Sequence, residues 1–237
     1  YVGTRQGLSI LNMNGMVLRN ITVADGLAGP NIFTFASDFS RQILYIGCNA
    51  LNSTDPCGLS IYNTSTGAIR NLRTEDGIPV PWVTSLAFSK QRNKLYVGTD
   101  AGGLAIYDVM EDKFIIRNYT HGLPSDQIFS LELDDYMGKL YVGTLSGLAI
   151  YDIVNDTFKI RTIANGLIEN HVLNMKIDIE NRILYIGTED SSLSVYEIDN
   201  DTFTTYGTGQ PWGLGDIILD FANSLLYVNR VDGIAVF

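Results

Sequence analysis

The chain has 237 residues, of which 46% are hydrophobic and 18% are charged, a composition typical of a globular protein and not of a disordered one. Its formal net charge of -10 disfavours nucleic acid and anionic membranes as partners, because phosphate binding needs clustered Lys and Arg side chains. The longest apolar runs are only about as long as a strand, so no membrane insertion is expected.

One short phrase recurs from the first residue to the last. It usually reads Tyr, then Val or Ile, then Gly and Thr, and successive copies lie 42 to 51 residues apart. A period of this size indicates a repeat architecture. Repeat units are therefore expected to start near residues 1, 45, 96, 141, 185 and 227, each at a tyrosine: Tyr1, Tyr45, Tyr96, Tyr141, Tyr185 and Tyr227.

Each unit is predicted to contain four short strands, which we name A to D in chain order. Strand A has the form of residues 128–133, and strand B is the tyrosine phrase, as in residues 139–144. Strand C has the form of residues 104–107, and strand D contains a phenylalanine, as in residues 114–119. Four strands per roughly 44 residues is the pattern of a β-propeller blade. The predicted fold is all-β, a propeller with about six four-stranded blade units.

The first and last units are incomplete. The chain starts with strands B, C and D, continues through four complete units, and ends with strands A, B and C. Residues 1–237 are read as one propeller domain, and two alternatives stay open: six blades close a ring, or the chain is part of a longer propeller. The open edges of the incomplete blades also allow self-assembly.

The connection from strand D to the next strand A carries a repeated glycine followed by an apolar residue. A glycine permits a positive φ there, and the apolar residue is expected to fill the space between neighbouring blades. The repeated tyrosines are expected to pack between sheets and not to form a ligand-stacking array. The connections are Asp25-Gly26-Leu27, Asp76-Gly77-Ile78, His121-Gly122-Leu123 and Asn165-Gly166-Leu167.

Both cysteines lie in the one abnormal unit. Residues 49–56 form an insertion between Cys48, at the end of strand B, and Cys57, at the start of strand C. Because these strands are antiparallel neighbours, the ends of the insertion should lie side by side, as a disulfide requires. The sequence therefore predicts a Cys48–Cys57 disulfide, with two buried free thiols as the alternative. A disulfide would place the protein outside the cytoplasm.

Six N-x-[ST] sequons point to the same compartment, as candidate glycosylation sites. Their alternative interpretation is turn chemistry, because Asn-Asp is a favourable turn dipeptide and a repeated turn multiplies sequons. The asparagines are Asn20, Asn52, Asn63, Asn118, Asn155 and Asn200.

The pattern D-G-L-P-x-x-x-I-x-x-L-x-x-D-x-x-x-x-L-Y-V-G-T-x-x-G-L-x-I-Y-D resembles the two-component-regulator propeller repeat. It is clearest from His121 to Asp152 and recurs over essentially the whole chain. The resemblance implies an extracytoplasmic propeller, extracellular, on the cell surface or periplasmic. It also implies that the propeller binds a ligand, often a glycan in sensor proteins, or a protein partner.

The residue that leads into each strand A is the candidate ligand site, because these positions should face the mouth of a propeller channel. They differ from one another while the flanking framework repeats, and a specific site is built on such divergence. Ordinary polar turn residues around a water-filled channel are the alternative. The B–C connections contribute Arg5, Gln6, Asp100, Glu189, Asp190 and Arg230 to the same end. The candidate ligand-binding residues are Asn31, Trp82, Gln127, His171 and Asp216.

An aromatic ring, two amides, an imidazole and a carboxylate form the mixture that recognises sugars. The sequence predicts a non-enzymatic binding or interaction module for a glycan, another polar small ligand or a protein, without metal or cofactor. The chain has two histidines, which excludes a three-histidine zinc site, and no G-x-S-x-G or H-E-x-x-H motif. A polysaccharide lyase or hydrolase that uses His171 and Asp216 is the alternative.

Overall fold

The structure is a computed structural model that describes residues 1–49, 57–189, 192–206, 217–223, 225–230 and 233–236. The chain divides into two compact units, residues 1–117 and 118–237. Each unit contains three small antiparallel sheets, which we number 1 to 6 in chain order.

The first unit holds sheets 1 to 3. Short 3-10 helices at Val23–Asp25 and Thr74–Asp76 precede the second and third sheets. Sheet 1 has three strands, and sheets 2 and 3 have four each, with every strand paired to its neighbour in sequence. The strands are β1 (Val2–Thr4), β2 (Gly7–Leu11) and β3 (Val17–Ile21), then β4 (Ile32–Asp38), β5 (Ile43–Cys48), β6 (Leu59–Asn63) and β7 (Ile69–Leu72), then β8 (Val83–Ser89), β9 (Lys94–Thr99), β10 (Leu104–Asp108) and β11 (Lys113–Arg117).

The second unit holds sheets 4 to 6, with 3-10 helices at Tyr119–His121 and Ile163–Asn165. Sheets 4 and 5 have four strands, and sheet 6 has three. The strands are β12 (Ile128–Asp134), β13 (Lys139–Thr144), β14 (Gly147–Asp152) and β15 (Thr157–Arg161), then β16 (Val172–Asp178), β17 (Ile183–Thr188), β18 (Leu193–Glu197) and β19 (Thr202–Tyr206), then β20 (Ile217–Asp220), β21 (Leu225–Arg230) and β22 (Gly233–Val236).

The sheets are propeller blades of the predicted kind. Sheets 2 to 5 contain strands A to D in order, sheet 1 contains B to D, and sheet 6 contains A to C. The predicted all-β propeller fold with an incomplete first and last blade is therefore confirmed. The interpretation of residues 1–237 as a single domain stays a prediction.

Three of the repeated tyrosines of strand B pack in the core as predicted, whereas Tyr1 is 52% exposed. Tyr45, Tyr96 and Tyr141 are almost fully buried, and the ring of Tyr45 in sheet 2 lies 5.4 Å from the ring of Phe88 in sheet 3. Burial raises the pKa of both Tyr45 and Tyr141 to about 12. These rings belong to the core and are not exposed to a ligand.

The D–A connections also have the predicted form. Their glycines have φ between 103° and 110°, in the left-handed region that disfavours side chains. A Cβ added to Gly77 would lie 3.4 Å from Phe114 of the next sheet. The apolar residues that follow the glycines are buried: Leu27, Ile78, Leu123 and Leu167.

The predicted disulfide is wrong for this structure, in which Cys48 and Cys57 are buried free thiols. The predicted proximity is present, since the two side chains are hydrogen bonded to each other. The Cys48 sulfur also accepts from Gly58 N at 3.1 Å and lies 3.3 Å from Gly58 O. The hydrogen bond between the two side chains, together with burial, raises the pKa of the Cys48 thiol. The alternative prediction of two buried thiols therefore describes the pair. A thiol that stays protonated is a poor nucleophile.

Four of the five described sequon asparagines make the hydrogen bonds of turns, whereas Asn20 contacts Ser9 of the neighbouring strand. Asn63 Oδ1 accepts from Ser65 N at 3.0 Å, and Asn118 Oδ1 accepts from Thr120 N at 3.1 Å. Asn155 and Asn200 each donate their amide N–H to a carboxylate at 2.9 Å, and Asn20 accepts from Ser9 Oγ at 2.8 Å. These contacts support the turn interpretation, and glycosylation stays a prediction. Asn52 lies outside the described residues.

Candidate functional site

The D–A and B–C connections meet at one end of every four-stranded sheet. In each of these sheets, the carbonyl oxygen of the residue before strand A accepts a hydrogen bond from the first residue after strand B. The geometry is nearly constant, with N–O distances of 3.0 to 3.2 Å. We call these four contacts the mouth pairs: Asn31 with Asn49, Trp82 with Asp100, Gln127 with Leu145, and His171 with Glu189.

A β-bulge follows each mouth pair. The register of strands A and B shifts at the second residue of strand A in all four sheets. A bulge interrupts the regular register of the two strands and re-aims the side chains around it, which is common beside binding sites. The bulged residues are Phe33, Thr84, Phe129 and Leu173.

In the first unit, Trp82 is half-buried and packs against the hydrophobic cluster that contains Cys48 and Cys57. The Arg73 guanidinium braces the same region by donating to the carbonyl oxygens of Cys57, at 3.1 Å, and Ala28, at 3.2 Å. The indole ring of Trp82 is therefore fixed by its packing, and part of its surface remains accessible to solvent. Asn31 is also half-buried, at the equivalent position of sheet 2.

In the second unit, the side chains of one mouth pair are also joined. His171 Nδ1 lies 2.6 Å from Glu189 Oε2, and the imidazole ring lies 4.7 Å from the ring of Phe129. The His171 side chain is 17% exposed, while that of Glu189 is 63% exposed. His171 Nε2 is buried and has no hydrogen-bond partner among the residues that the structure describes.

This arrangement defines the proton position on the neutral imidazole. An ionised carboxylate can only accept, so Glu189 requires the proton on Nδ1 and leaves a lone pair on Nε2. His171 is consequently oriented as a hydrogen-bond acceptor with an aromatic neighbour. Gln127, another predicted site residue of this unit, donates its backbone N–H to Ser125 Oγ at 3.1 Å.

The structure thus places four of the five predicted site residues at equivalent positions, two in each unit. Asp216 lies outside the described residues, and so does Asp190. Phe129 was not among the predicted site residues, although it lies only two residues after Gln127 in an otherwise regular strand A. In that part of the chain which is described, no group of three or more His, Cys, Asp or Glu side chains could hold a metal ion.

No protein-family model matches the chain, and no curated protein does. Solved structures are similar to it. The extracellular domain of BT3049, described as a hybrid two-component system of B. thetaiotaomicron, has a TM-score of 0.78 and 21% identity, over 99% of this chain and 31% of that one. That of BT4673 from the same bacterium has a TM-score of 0.76 and 19% identity, over 99% and 32%.

The computationally designed protein Ika8 is similar over 99% of this chain and 66% of its own, with a TM-score of 0.68 and 14% identity. At these identities the likeness shows the fold, which is that of a β-propeller. The chain spans about a third of the length of the two bacterial domains. Within the described residues, no helix is long and apolar enough to cross a membrane.

Proposed function

We propose that this chain is a non-enzymatic, extracytoplasmic ligand-binding module of a sensor protein, and that its ligand is a glycan or a similar uncharged polar molecule. The proposal is supported by similarity in fold to the bacterial domains above, which are extracellular domains of two-component systems. The proposal places the ligand contacts at the mouth pairs.

The mouth pairs carry this proposal. A constant backbone hydrogen bond holds side chains that differ from sheet to sheet, namely an indole, an imidazole and several amides and carboxylates. A repeated scaffold that varies at one end of its blades can acquire a specific site there without loss of stability. The buried tyrosines and turn aspartates show the opposite behaviour, because they repeat with little change.

The chemistry of the pairs favours a ligand with hydroxyl groups. Trp82 offers part of a fixed ring for stacking, and the Asn31 and Gln127 amides can both donate and accept. The Glu189 carboxylate, which is held by His171 and lies on a side chain that is 63% exposed, can accept a hydrogen bond from a hydroxyl. The net charge of -10 argues against a polyanionic ligand.

The test is a screen of neutral glycans and small metabolites, followed by calorimetric titration of a hit into three proteins. Trp82→Ala should weaken binding about 30-fold, since a central aromatic contact contributes about 2 kcal/mol. Tyr136→Ala is the matched control, because this exposed aromatic lies in the A–B turn, at the other end of its strand. Unchanged affinity in Trp82→Ala together with a loss in Tyr136→Ala would contradict the proposed location.

One observation favours a second candidate, a polysaccharide lyase or hydrolase. His171 has a carboxylate partner at Nδ1 and a free lone pair at Nε2, which is the arrangement of a general base. An enzyme would turn over its polysaccharide, and His171→Ala would abolish that turnover. Stable binding of an intact glycan to the wild-type protein would support the binding module.

A further inference from the structure

Both cysteines of the chain replace residues of the repeated framework at one end of sheet 2. Cys48 is the last residue of strand B, where sheets 3 to 5 have a buried threonine whose hydroxyl donates to a carbonyl oxygen across the B–C connection, at 2.7 to 3.1 Å. The Cys48 sulfur takes the place of that hydroxyl, 3.3 Å from Gly58 O. Cys57 stands directly before Gly58, where sheet 4 has Ser146 before Gly147. The surrounding backbone is therefore that of the repeat, and the two thiols are specific to sheet 2.

The two thiols form a close pair in apolar surroundings. The side chains of Cys48 and Cys57 are hydrogen bonded to each other, and the two residues are only 1% and 3% exposed. They belong to a hydrophobic cluster with Leu27 and Ile46, against which Trp82 packs.

Two sulfur ligands are sufficient for only some metal ions. Soft thiolate ligands suit Cu(I), zinc and iron–sulfur clusters, and the last two need about four protein ligands. Within the described residues there is no group of three or more His, Cys, Asp or Glu side chains that could supply them. Cu(I) accepts two sulfur ligands in a line, so the pair suits this ion.

The electrostatic surroundings of the pair favour thiolates once the thiol protons are lost. Two thiolates and one monovalent cation carry a net charge of -1, and a buried charge is costly unless it is compensated. Gly58 N already donates to the Cys48 sulfur at 3.1 Å. The guanidinium of Arg73 is fixed beside the pair by its hydrogen bond to Cys57 O at 3.1 Å. The hydrogen bond between the thiols and their burial raise the pKa of Cys48, whereas the positive charge of Arg73 acts in the opposite direction.

We propose that Cys48 and Cys57 form a two-coordinate site for Cu(I), which is held between their sulfur atoms. Binding forms two metal–sulfur bonds and releases the two thiol protons to solvent, without oxidation or reduction. Arg73 and the Gly58 N–H compensate the negative charge of the complex. The site departs from the metal-free module that the sequence led us to expect, and it does not depend on the proposed glycan ligand.

The test is the transfer of Cu(I) from an excess of a coloured chelator, bicinchoninate, to the reduced full chain in the absence of oxygen. The wild-type protein should take up one Cu(I) per chain and release about two protons per ion, because metal-bound cysteines are deprotonated. Cys48→Thr and Cys57→Ser each keep one thiol. Each should bind Cu(I) more than about 100-fold more weakly, because even the loss of an outer-shell partner of a metal site costs about 10- to 100-fold.

Both variants use residues of the repeat itself, so the fold should be retained. Thr144 and Ser146 occupy the equivalent positions of sheet 4, where Thr144 Oγ1 donates to Gly147 O at 2.8 Å. Urea unfolding without metal checks that each variant is folded, and Cu(I) should raise the unfolding midpoint of the wild-type protein but not of the variants. Met13→Leu removes a fully exposed soft sulfur and should bind Cu(I) as the wild type does.

Wild-type protein that leaves Cu(I) on the chelator would overturn the proposal. A folded single-thiol variant that binds Cu(I) as tightly as the wild type would overturn it too, because one sulfur would then be sufficient. Uptake of Cu(I) without release of protons would show that the ion is bound elsewhere on the chain.

Discussion

Glu189 contacts His171 twice, once through the backbone and once through the side chain. Glu189 N donates to His171 O at 3.2 Å, and Glu189 Oε2 lies 2.6 Å from His171 Nδ1. The backbone contact is common to four sheets, while the side-chain contact is specific to sheet 5. A repeated framework therefore orients an imidazole whose Nε2 faces away from its carboxylate.

This contact predicts the tautomer of His171. In the neutral imidazole the proton should reside on Nδ1, and Glu189→Ala should shift it toward Nε2 because the acceptor is lost. Long-range proton–nitrogen NMR distinguishes the two tautomers. The chain has only one other histidine, His121, which serves as an internal control and should not change. An Nε2-protonated His171 in the wild-type protein would refute this geometry.

A second prediction concerns a network that joins neighbouring sheets. Tyr107 Oη donates to Asp112 at 2.6 Å, and Arg70 of the preceding sheet pairs with the same carboxylate at 2.8 Å. Gly67 occupies the equivalent turn position of sheet 2, with φ of 77°. A Cβ on Gly67 would lie 3.6 Å from Arg19 Nη1 of sheet 1.

We therefore expect Gly67→Asp to be more stable than Gly67→Ala by about 0.5 to 1 kcal/mol, because both side chains bear the cost of the positive φ and only the aspartate can pair with Arg19. Asp112 already adopts a positive φ of 56° at this turn position, so an aspartate is tolerated. Urea unfolding measures the change. Gly67→Ala, which lacks the carboxylate, is the control, and Gly67→Asp should exceed it. Equal stability of the two variants would argue against the pairing with Arg19.

The equivalent network around Asp201 in sheet 5 predicts that the stability of the protein falls at acid pH. Hydrogen bonds from Arg161, Lys159 and Tyr196 lower the pKa of Asp201 well below its usual 3.8, with the Arg161 contact the largest cause. A depressed folded-state pKa stabilises the protein above the ordinary carboxyl pKa, and the contribution is lost as the pH falls below that value. Asp201→Asn should cost about 1 kcal/mol at pH 7 by urea unfolding, since the pair is partly exposed.

Near pH 2 the difference in free energy of unfolding between Asp201→Asn and wild type should shrink, because protonation of Asp201 progressively weakens its ion pairs. Thr204→Ser is a suitable control, because this exposed strand residue of the same sheet does not titrate and its change in stability should not depend on pH. A cost for Asp201→Asn that is the same at both pH values would exclude the ionised network.

A further prediction concerns the buried apolar residues of the D–A connections and their contribution to the free energy of unfolding. Leu167 follows the positive-φ Gly166 and is almost fully buried in the cluster that includes Tyr141 and Met175. Leu167→Ala should lower the free energy of unfolding by about 2 to 4 kcal/mol, through lost burial and the cavity it leaves. The exposed Val154→Ala should change it by less than about 0.5 kcal/mol. A small effect of Leu167→Ala would show that the connection repacks.

The framework was predictable because the residues that define it are local and periodic. The alternation around Tyr141, the Gly166-Leu167 turn and the strand inventory each reflect a burial pattern that repeats in sequence. The oxidation state of Cys48 and Cys57 could not be predicted, because neighbouring strands bring the two sulfur atoms together without determining whether they form a disulfide. The pairing of His171 with Glu189 depends on two connections meeting in space, and Phe129 depends on a bulge that the alternation conceals.

The most direct test of the account is a hydrogen–deuterium exchange footprint of a glycan identified by the screen. The account predicts slower exchange at the mouth pairs, in segments around Trp82 or His171, and unchanged exchange at the A–B turns around Phe39 and Tyr136. Protection confined to those A–B turns, with no change at the mouth pairs, would contradict the central claim that the variable ends of the blades bind the ligand.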